Sequence, residues 1–320
     1  MEPFKGKLGV IGAGALGCFY GARLAHAGHD VHFLMRRDYE AVRRGGLHIY
    51  SIDGDFTIHP PVYDSVHALG RCDLVLIGLK TTDQSRLAEL LPPCVGPETL
   101  VLTLQNGLGC EEAIEAILSE AGHTDAGDRI LGATAFLCST RGEPGVVHHT
   151  AHGHVHLAEY RGPARERTRA IGALFESAGI RCSVLDSLAQ ARWTKLIWNV
   201  PFNGLGVAAS HADTAVVLED PELRAVALGL MEEVADAARA LGLAIGPDLP
   251  DRMMRNSETM GPYRSSMQID YEERRPVEVE SIIGEPLRRA RAAGVATPRL
   301  EMLYAIVRRM DRLNREGGAD

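Results

Sequence analysis

Lys195, Asn199 and Asn203 recur at intervals of four through the stretch Lys195-Leu196-Ile197-Trp198-Asn199-Val200-Pro201 and just beyond it. On a helix turning about 100° per residue they place an ammonium and two amides along one side. Asn199 then lies roughly 40° and Asn203 roughly 80° around from Lys195. An ammonium only donates hydrogen bonds, whereas an amide both donates and accepts. Such a set suits a small oxygen-rich substrate better than an apolar core, although the solvated edge of an amphipathic helix has the same spacing. Pro201 has no N–H to give the helix, which predicts a kink or local unwinding there.

A second chemical feature stands near the start. Gly12-Ala13-Gly14-Ala15-Leu16-Gly17 directly follows the apolar run from Leu8 to Ile11 and opens a helical pattern. In that setting one glycine turns the chain, one lets the backbone approach a pyrophosphate, and one lets helix and strand pack closely. The helix N-terminus supplies free N–H groups and a positive dipole for the phosphates. The next strand ends in Phe33-Leu34-Met35-Arg36-Arg37, with no acid before Asp38. A carboxylate there would accept from the ribose hydroxyl of NAD, whereas a guanidinium pairs with a 2′-phosphate. The cofactor expected is therefore NADP, as NADPH, with Arg36 as the main contact and Arg37 in reserve. A solvated strand end, with Asp38 capping the next helix, is the plainer alternative.

The elements that must carry these residues alternate in type. Val31 to Met35, Asp73 to Ile77 and Leu100 to Leu104 are further apolar strands, and Ala15–Ala27, Gln84–Leu91 and Glu111–Leu118 have helical patterns. This βαβ rhythm predicts an α/β fold whose N-terminal part is a Rossmann-type, doubly wound parallel sheet. Val146 to Glu159 reads as an added β-hairpin with Gly153 near its turn, followed by a helix from Ala164 to Ser177 and a closing strand at Arg181–Leu185. After Asp186 the patterns become helical, near 187–200, 221–241, 278–293 and 299–315, with a Pro- and Gly-rich connection at 244–264 holding one short helix. Residues 1–186 are thus expected to form the nucleotide-binding domain and 187–320 an all-helical domain for substrate and catalysis. The helix from Pro221 to Leu241, apolar at Val226, Leu230 and Val234, is expected to build the second core and to contribute to a homodimer contact.

Composition narrows the classes. The chain has 320 residues, 45% apolar and 24% charged, a size and balance suited to two globular domains. A net charge of −8 with no dense Lys/Arg block argues against a nucleic-acid partner. Six scattered cysteines without a CxxC pair point to a reducing cytoplasm and away from a disulfide framework or a zinc site. Neither a signal peptide nor a membrane span is expected, since the first residues are short and polar and the following apolar run is broken by glycines. His148, His149, His152, His154 and His156 form a dense cluster, and His152, His154 and His156 alternate in a way that would suit a metal. An exposed hairpin face is the preferred reading, and no metal is expected. Trp193 and Trp198 read as packing residues.

Three more polar segments mark a ligand edge. Gly78-Leu79-Lys80-Thr81 and Gln105-Asn106-Gly107-Leu108-Gly109 both follow strand C-terminal ends, where open α/β sheets bind ligands. Far downstream, Ser265-Ser266-Met267 precedes Arg275-Pro276-Val277-Glu278 by a helix-like stretch. With these in place, the order GAGALG, strand-end Arg, LKT, QNG, Lys-x-x-x-Asn-x-x-x-Asn, SSM and RPxE resembles the ketopantoate reductase (2-dehydropantoate 2-reductase) family from Gly9 to about Met310.

The resemblance implies reduction of 2-dehydropantoate to (R)-pantoate with NADPH, on the route to pantothenate and coenzyme A. It puts Lys195 on the catalytic proton donor and Asn199 and Asn203 on substrate-binding amides. Ser266 falls on the serine beside the substrate carboxylate, with Ser265 counted beside it. Glu278 falls on the acid near substrate hydroxyl and cofactor, with Glu272, Glu273 and Glu280 as competing neighbours. Asn106 falls on a residue touching cofactor and substrate, Lys80 on a cofactor-contacting lysine, and Cys138 on a backbone contact to the cofactor. Val277 departs from the threonine usual in the family, which puts one hydrogen bond near the site in doubt. A same-fold NADPH-dependent reductase of another 2-keto acid or imine is the nearest alternative, and a non-catalytic NADPH sensor a more distant one.

Overall fold

A computed structural model describes residues 2–316. Two compact units divide the described residues: one runs to Leu188 except for the four residues Asn106–Gly109, and the other takes that segment together with the described residues from Ala189 onward.

The first unit is built on a ten-stranded sheet. Its strands are β1 (Leu8–Ile11), β2 (Val31–Leu34), β3 (Leu47–Ser51), β4 (Phe56–Ile58), β5 (Val62–Tyr63), β6 (Leu74–Ile77), β7 (Leu100–Thr103), β8 (Ile130–Arg141), β9 (Val146–Glu159) and β10 (Cys182–Val184). The order is β4-β3-β9-β8-β7-β6-β1-β2-β5, with β10 beside β9. From β5 to β8 every neighbour is parallel, which is the Rossmann-type sheet. Its apolar runs are continuous because both faces are covered. Along β1, Val10 joins the core containing Phe19, Tyr20 and Phe175, whereas Ile11 joins the core of Val75, Ile77, Val101 and Ile114 on the other face.

The sheet is mixed rather than wholly parallel, because β8 and β9, and β3 and β4, pair antiparallel. Nor is Gly153 at a hairpin turn. β9 is one strand of fourteen residues, and its turn from β8 spans Gly142–Gly145. His152 (φ 64°) and Gly153 (φ 121°) instead make a bulge where the register slips between Phe136 and Leu137. Three short strands, β3 to β5, also went unpredicted. The 84–91 helix is a 3₁₀ turn at Thr81–Arg86 followed by a short helix at Leu87–Leu90.

The second unit is helical around one core that includes Trp193, Leu196, Ile197, Val200, Leu230, Val234, Leu300 and Val307. Its central helix spans Leu188–Ala208 and stays helical through Pro201, beyond the end expected at 200. Proline removes one helix hydrogen bond, but Val200, Phe202, Leu205 and Val207 are buried on both sides of it, and each such side chain contributes about 1.5–3 kcal/mol. The helix Pro221–Ala240 starts on Asp220, whose carboxylate accepts from the N–H groups of Glu222 and Leu223, with Pro221 in the first turn. Its buried stripe is Ala227, Leu230, Met231 and Val234, so Val226 faces outward, one position off the expected stripe. The short helix Thr214–Glu219 was not foreseen, whereas Ser266–Glu272 occupies the helix-like stretch expected before Arg275. Among the described residues no helix is long and apolar enough to cross a membrane.

Candidate active site

The Gly-rich turn joins β1 to the helix Ala15–His26, and its three glycines meet different surroundings. Gly12 has φ 90°, and a Cβ on it would lie 2.2 Å from the Leu79 backbone nitrogen. Gly17 presses on the Gly12 carbonyl, which a Cβ would reach at 2.3 Å. Gly14 meets nothing within 4 Å. Two glycines therefore serve packing, and the third leaves open space at the helix start. No side chain caps that start and its first turn carries no acid, so the N–H groups and positive dipole are available to a phosphate. These residues fit a dinucleotide pyrophosphate.

Beyond β2, Arg36 is exposed and forms no ion pair or hydrogen bond among the described residues, while Arg37 lies 4.0 Å from Asp38. Asp38 stands at the N-cap position of the next helix but does not cap it; its carboxylate is buried against Arg141. The acid nearest the strand end is thus engaged, and Arg36 rather than Arg37 is left to meet an anion. Lys80 is exposed at the start of the 3₁₀ turn after β6. Cys138 is half-buried in β8, beyond Gly132, where pairing with β7 ends, and its carbonyl accepts from the Thr150 hydroxyl at 3.4 Å.

In the helical unit the lysine finds its neighbours. Lys195 Nζ donates to Asn106 Oδ1 at 2.6 Å. Its pKa is lowered from 10.5 to about 7, chiefly by burial and then by the positive charge of Arg192, with Glu278 opposing both. Glu278 is buried, whereas the competing acids are occupied elsewhere. Glu280 is exposed and accepts from Tyr304 and Arg288, Glu272 from Arg264 and Gln268, and Glu273 pairs with Arg275. The backbone before Glu278 is fixed too: Val277 N–H donates to the buried carboxylate of Asp311 at 3.0 Å, and Arg315 holds the other oxygen at 2.7 Å. Val277 itself is a core residue.

Asn199 and Asn203 are buried on the same helix as Lys195. Ser265 is occupied locally, its hydroxyl accepting from the Gln268 N–H as the N-cap of Ser266–Glu272, while Ser266 is exposed in the first turn. The indole N–H of Trp198 donates to Ser257 and its ring stacks on Phe202, and Trp193 is in the core. On β9, His154 and His156 lie against Phe136, with centroids 4.6 and 5.0 Å away. Among the described residues no group of three His, Cys, Asp or Glu is arranged to hold a metal.

Sequence reading missed Arg192, which sits three residues before Lys195 and so on the same flank of the helix. It also missed the partners of the QNG segment. Gln105 donates through its amide to Gln84 at 2.6 Å, and Leu108 N–H donates to the Ser281 carbonyl at 2.9 Å.

Fold and residues together define a dinucleotide-dependent oxidoreductase. The family profile described as "Ketopantoate reductase PanE/ApbA" matches residues 8–162, and its companion "Ketopantoate reductase PanE/ApbA C terminal" matches residues 187–311. The chain is 42% identical over 318 residues to a 2-dehydropantoate 2-reductase of Nostoc sp., covering 97% of each. It is similar to the crystal structure of 2-dehydropantoate 2-reductase from Geobacter metallireducens GS-15, with 44% identity, TM-score 0.90, and coverage of 95% of this chain and 99% of that one. A D-mandelate dehydrogenase solved with NADH and anilino(oxo)acetate shares the fold at 20% identity and TM-score 0.83, covering 96% of this chain and 99% of that one. The chain belongs to the ketopantoate reductase family.

Proposed function

We propose that this protein reduces 2-dehydropantoate to (R)-pantoate with NADPH, in the synthesis of pantothenate and coenzyme A, with Lys195 as the proton donor. The observation that carries the reading is the Lys195–Asn106 hydrogen bond with Glu278 as the opposing charge. It occurs in a chain 42% identical, nearly end to end, to a 2-dehydropantoate 2-reductase.

When bound, the nicotinamide supplies a hydride to the ketone carbon. The chain's own residues then manage the oxygen. As negative charge grows there, the Lys195 ammonium stabilises it and gives up a proton, yielding the alcohol. An ordinary lysine is a sluggish acid at neutral pH, and a value near 7 makes this one fit for the task. Asn106 holds the ammonium in place by accepting a hydrogen bond from it, and Glu278 keeps it charged often enough to act. Asn199, Asn203 and the Ser265–Ser266 segment are assigned to the substrate's hydroxyl and carboxylate. The Gly12–Gly17 turn would hold the pyrophosphate, Arg36 the 2′-phosphate, and Lys80, Asn106, Cys138 and Glu278 further parts of the cofactor. All six cysteines are free, which supports work in a reducing cytoplasm.

The test is NADPH oxidation with 2-dehydropantoate set beside unrelated 2-oxo acids. Strong preference for 2-dehydropantoate is expected; a rate no better than the others would overturn the substrate assignment.

A further inference from the structure

Residues Glu280–Gly284 form a π turn that runs directly into the helix Glu285–Ala292. The Glu285 N–H sets its register by donating to the Glu280 carbonyl, five residues back rather than four. In an α-helix that N–H would serve Ser281. In the π register the donor due to Ser281 is residue 286, and Pro286 has no N–H. The Ser281 carbonyl instead takes the N–H of Leu108, at 2.9 Å.

That contact is close on its other side as well. Gly107 has φ 88°, and a Cβ on it would stand 2.3 Å from the Ser281 oxygen. Only a glycine passes there without moving the turn. Immediately before it, Asn106 receives the Lys195 ammonium. The π turn also begins two residues after Glu278, and the Ile282 N–H donates to the Glu278 carbonyl at 3.2 Å. One irregular turn therefore anchors two of the groups that bear on the lysine, Asn106 and Glu278.

We propose that Pro286 is a positioning residue for the reduction. By supplying no N–H to Ser281 it makes the π turn an acceptor for Leu108, and so fixes Asn106 where its amide oxygen meets Lys195. The inference rests on Lys195 being the proton donor. π turns interrupt α-helices at a cost in regular bonding and recur at functional sites; here the interruption has a named use.

Pro286→Ala restores the missing donor with a better helix former, so the chain is expected to fold. Three changes are expected together. The Leu108 amide exchanges hydrogen at least about tenfold faster, as its bond must compete with a new donor. The kcat falls about tenfold, the scale of one lost hydrogen bond. The alkaline limb of the rate–pH profile moves to lower pH, because an acceptor that favours the charged lysine has withdrawn. Gly107→Ala attacks the same contact from the opposite side and is expected to give the same three results. Unchanged protection of Leu108 in Pro286→Ala overturns the proposal. So does lost protection with an unmoved kcat and pH limb. The exchange measurement needs no substrate; wild-type inactivity toward every 2-oxo acid would instead sink the functional reading, before any variant is made.

Discussion

Lys195 and Asn106 are 89 residues apart in sequence, yet the ammonium of one donates to the amide oxygen of the other at 2.6 Å. A hydrogen bond to a charged group contributes about 1.5–3 kcal/mol. Here it orders a donor whose own titration lies near neutrality, and the consequences can be measured.

Activity is expected to decline as pH rises through about 7, because the proton donor must be charged and its pKa stands there. Arg192→Met removes a positive neighbour and should move that limb upward. Glu278→Gln removes the opposing negative charge and should move it downward. Initial-rate profiles of kcat/KM for the three proteins check the signs; a limb indifferent to both changes would exclude Lys195 as the titrating group.

Lys195→Met should lower turnover by at least about a hundredfold, the scale of lost acid catalysis, while NADPH still binds. Its stability should move the other way. The folded pKa is depressed below the unfolded one, so at pH below about 7 both states are charged and only the folded one bears the buried ammonium. Between about 7 and 10.5 the folded state sheds the proton first, and stability rises with pH. Methionine should therefore stabilise most at acid pH, by on the order of a few kcal/mol, with the gain fading toward 10.5. Urea melts at pH 6 and pH 10 decide it.

Arg36→Ala should weaken NADPH binding about ten- to a hundredfold and leave NADH binding nearly unchanged, since only the former carries the 2′-phosphate. Fluorescence titration with each nucleotide is the measurement. Equal losses would show that Arg36 does not read the phosphate.

Two glycines of the same turn should respond differently to alanine. Gly14→Ala meets open space and should keep its melting temperature while losing affinity for the nucleotide. Gly12→Ala forces a Cβ against the Leu79 backbone at φ 90° and should cost stability, by about 1–3 kcal/mol or more. Thermal melts with and without NADPH separate the two effects.

Much of the parallel sheet was legible because its strands are buried on both faces, which leaves unbroken runs such as Leu74–Ile77 and Leu100–Thr103. The hairpin was misread because Gly153 punctuates a strand as visibly as a turn does; Pro144-Gly145 was the true turn signal. β3, β4 and β5 are short and only partly buried, so they lack the unbroken apolar run that marks strands such as β6 and β7. In the candidate site, residue types and spacing singled out Lys195, Asn199 and Asn203, and the family resemblance Glu278, but neither gave the electrostatic setting of the lysine. Arg192 was passed over since its charge matters only once burial brings it to bear on the lysine. Ser265-Ser266-Met267 was read for ligands, although a serine three residues before a glutamine, here Gln268, is also a helix-start signature, and the Ser265 hydroxyl is used that way. The π turn had no trace in the pattern, because a five-residue hydrogen bond is a choice among neighbouring donors rather than a period.

The four-residue excursion Asn106–Gly109 makes a split of the gene after residue 186 unproductive. The downstream fragment would lack Leu108, which is 5% exposed within the helical core, and losing a leucine's packing costs about 2–5 kcal/mol. The upstream fragment would carry that leucine with nowhere to bury it. Complementation between separately made halves would then depend on the loop finding its seat in trans.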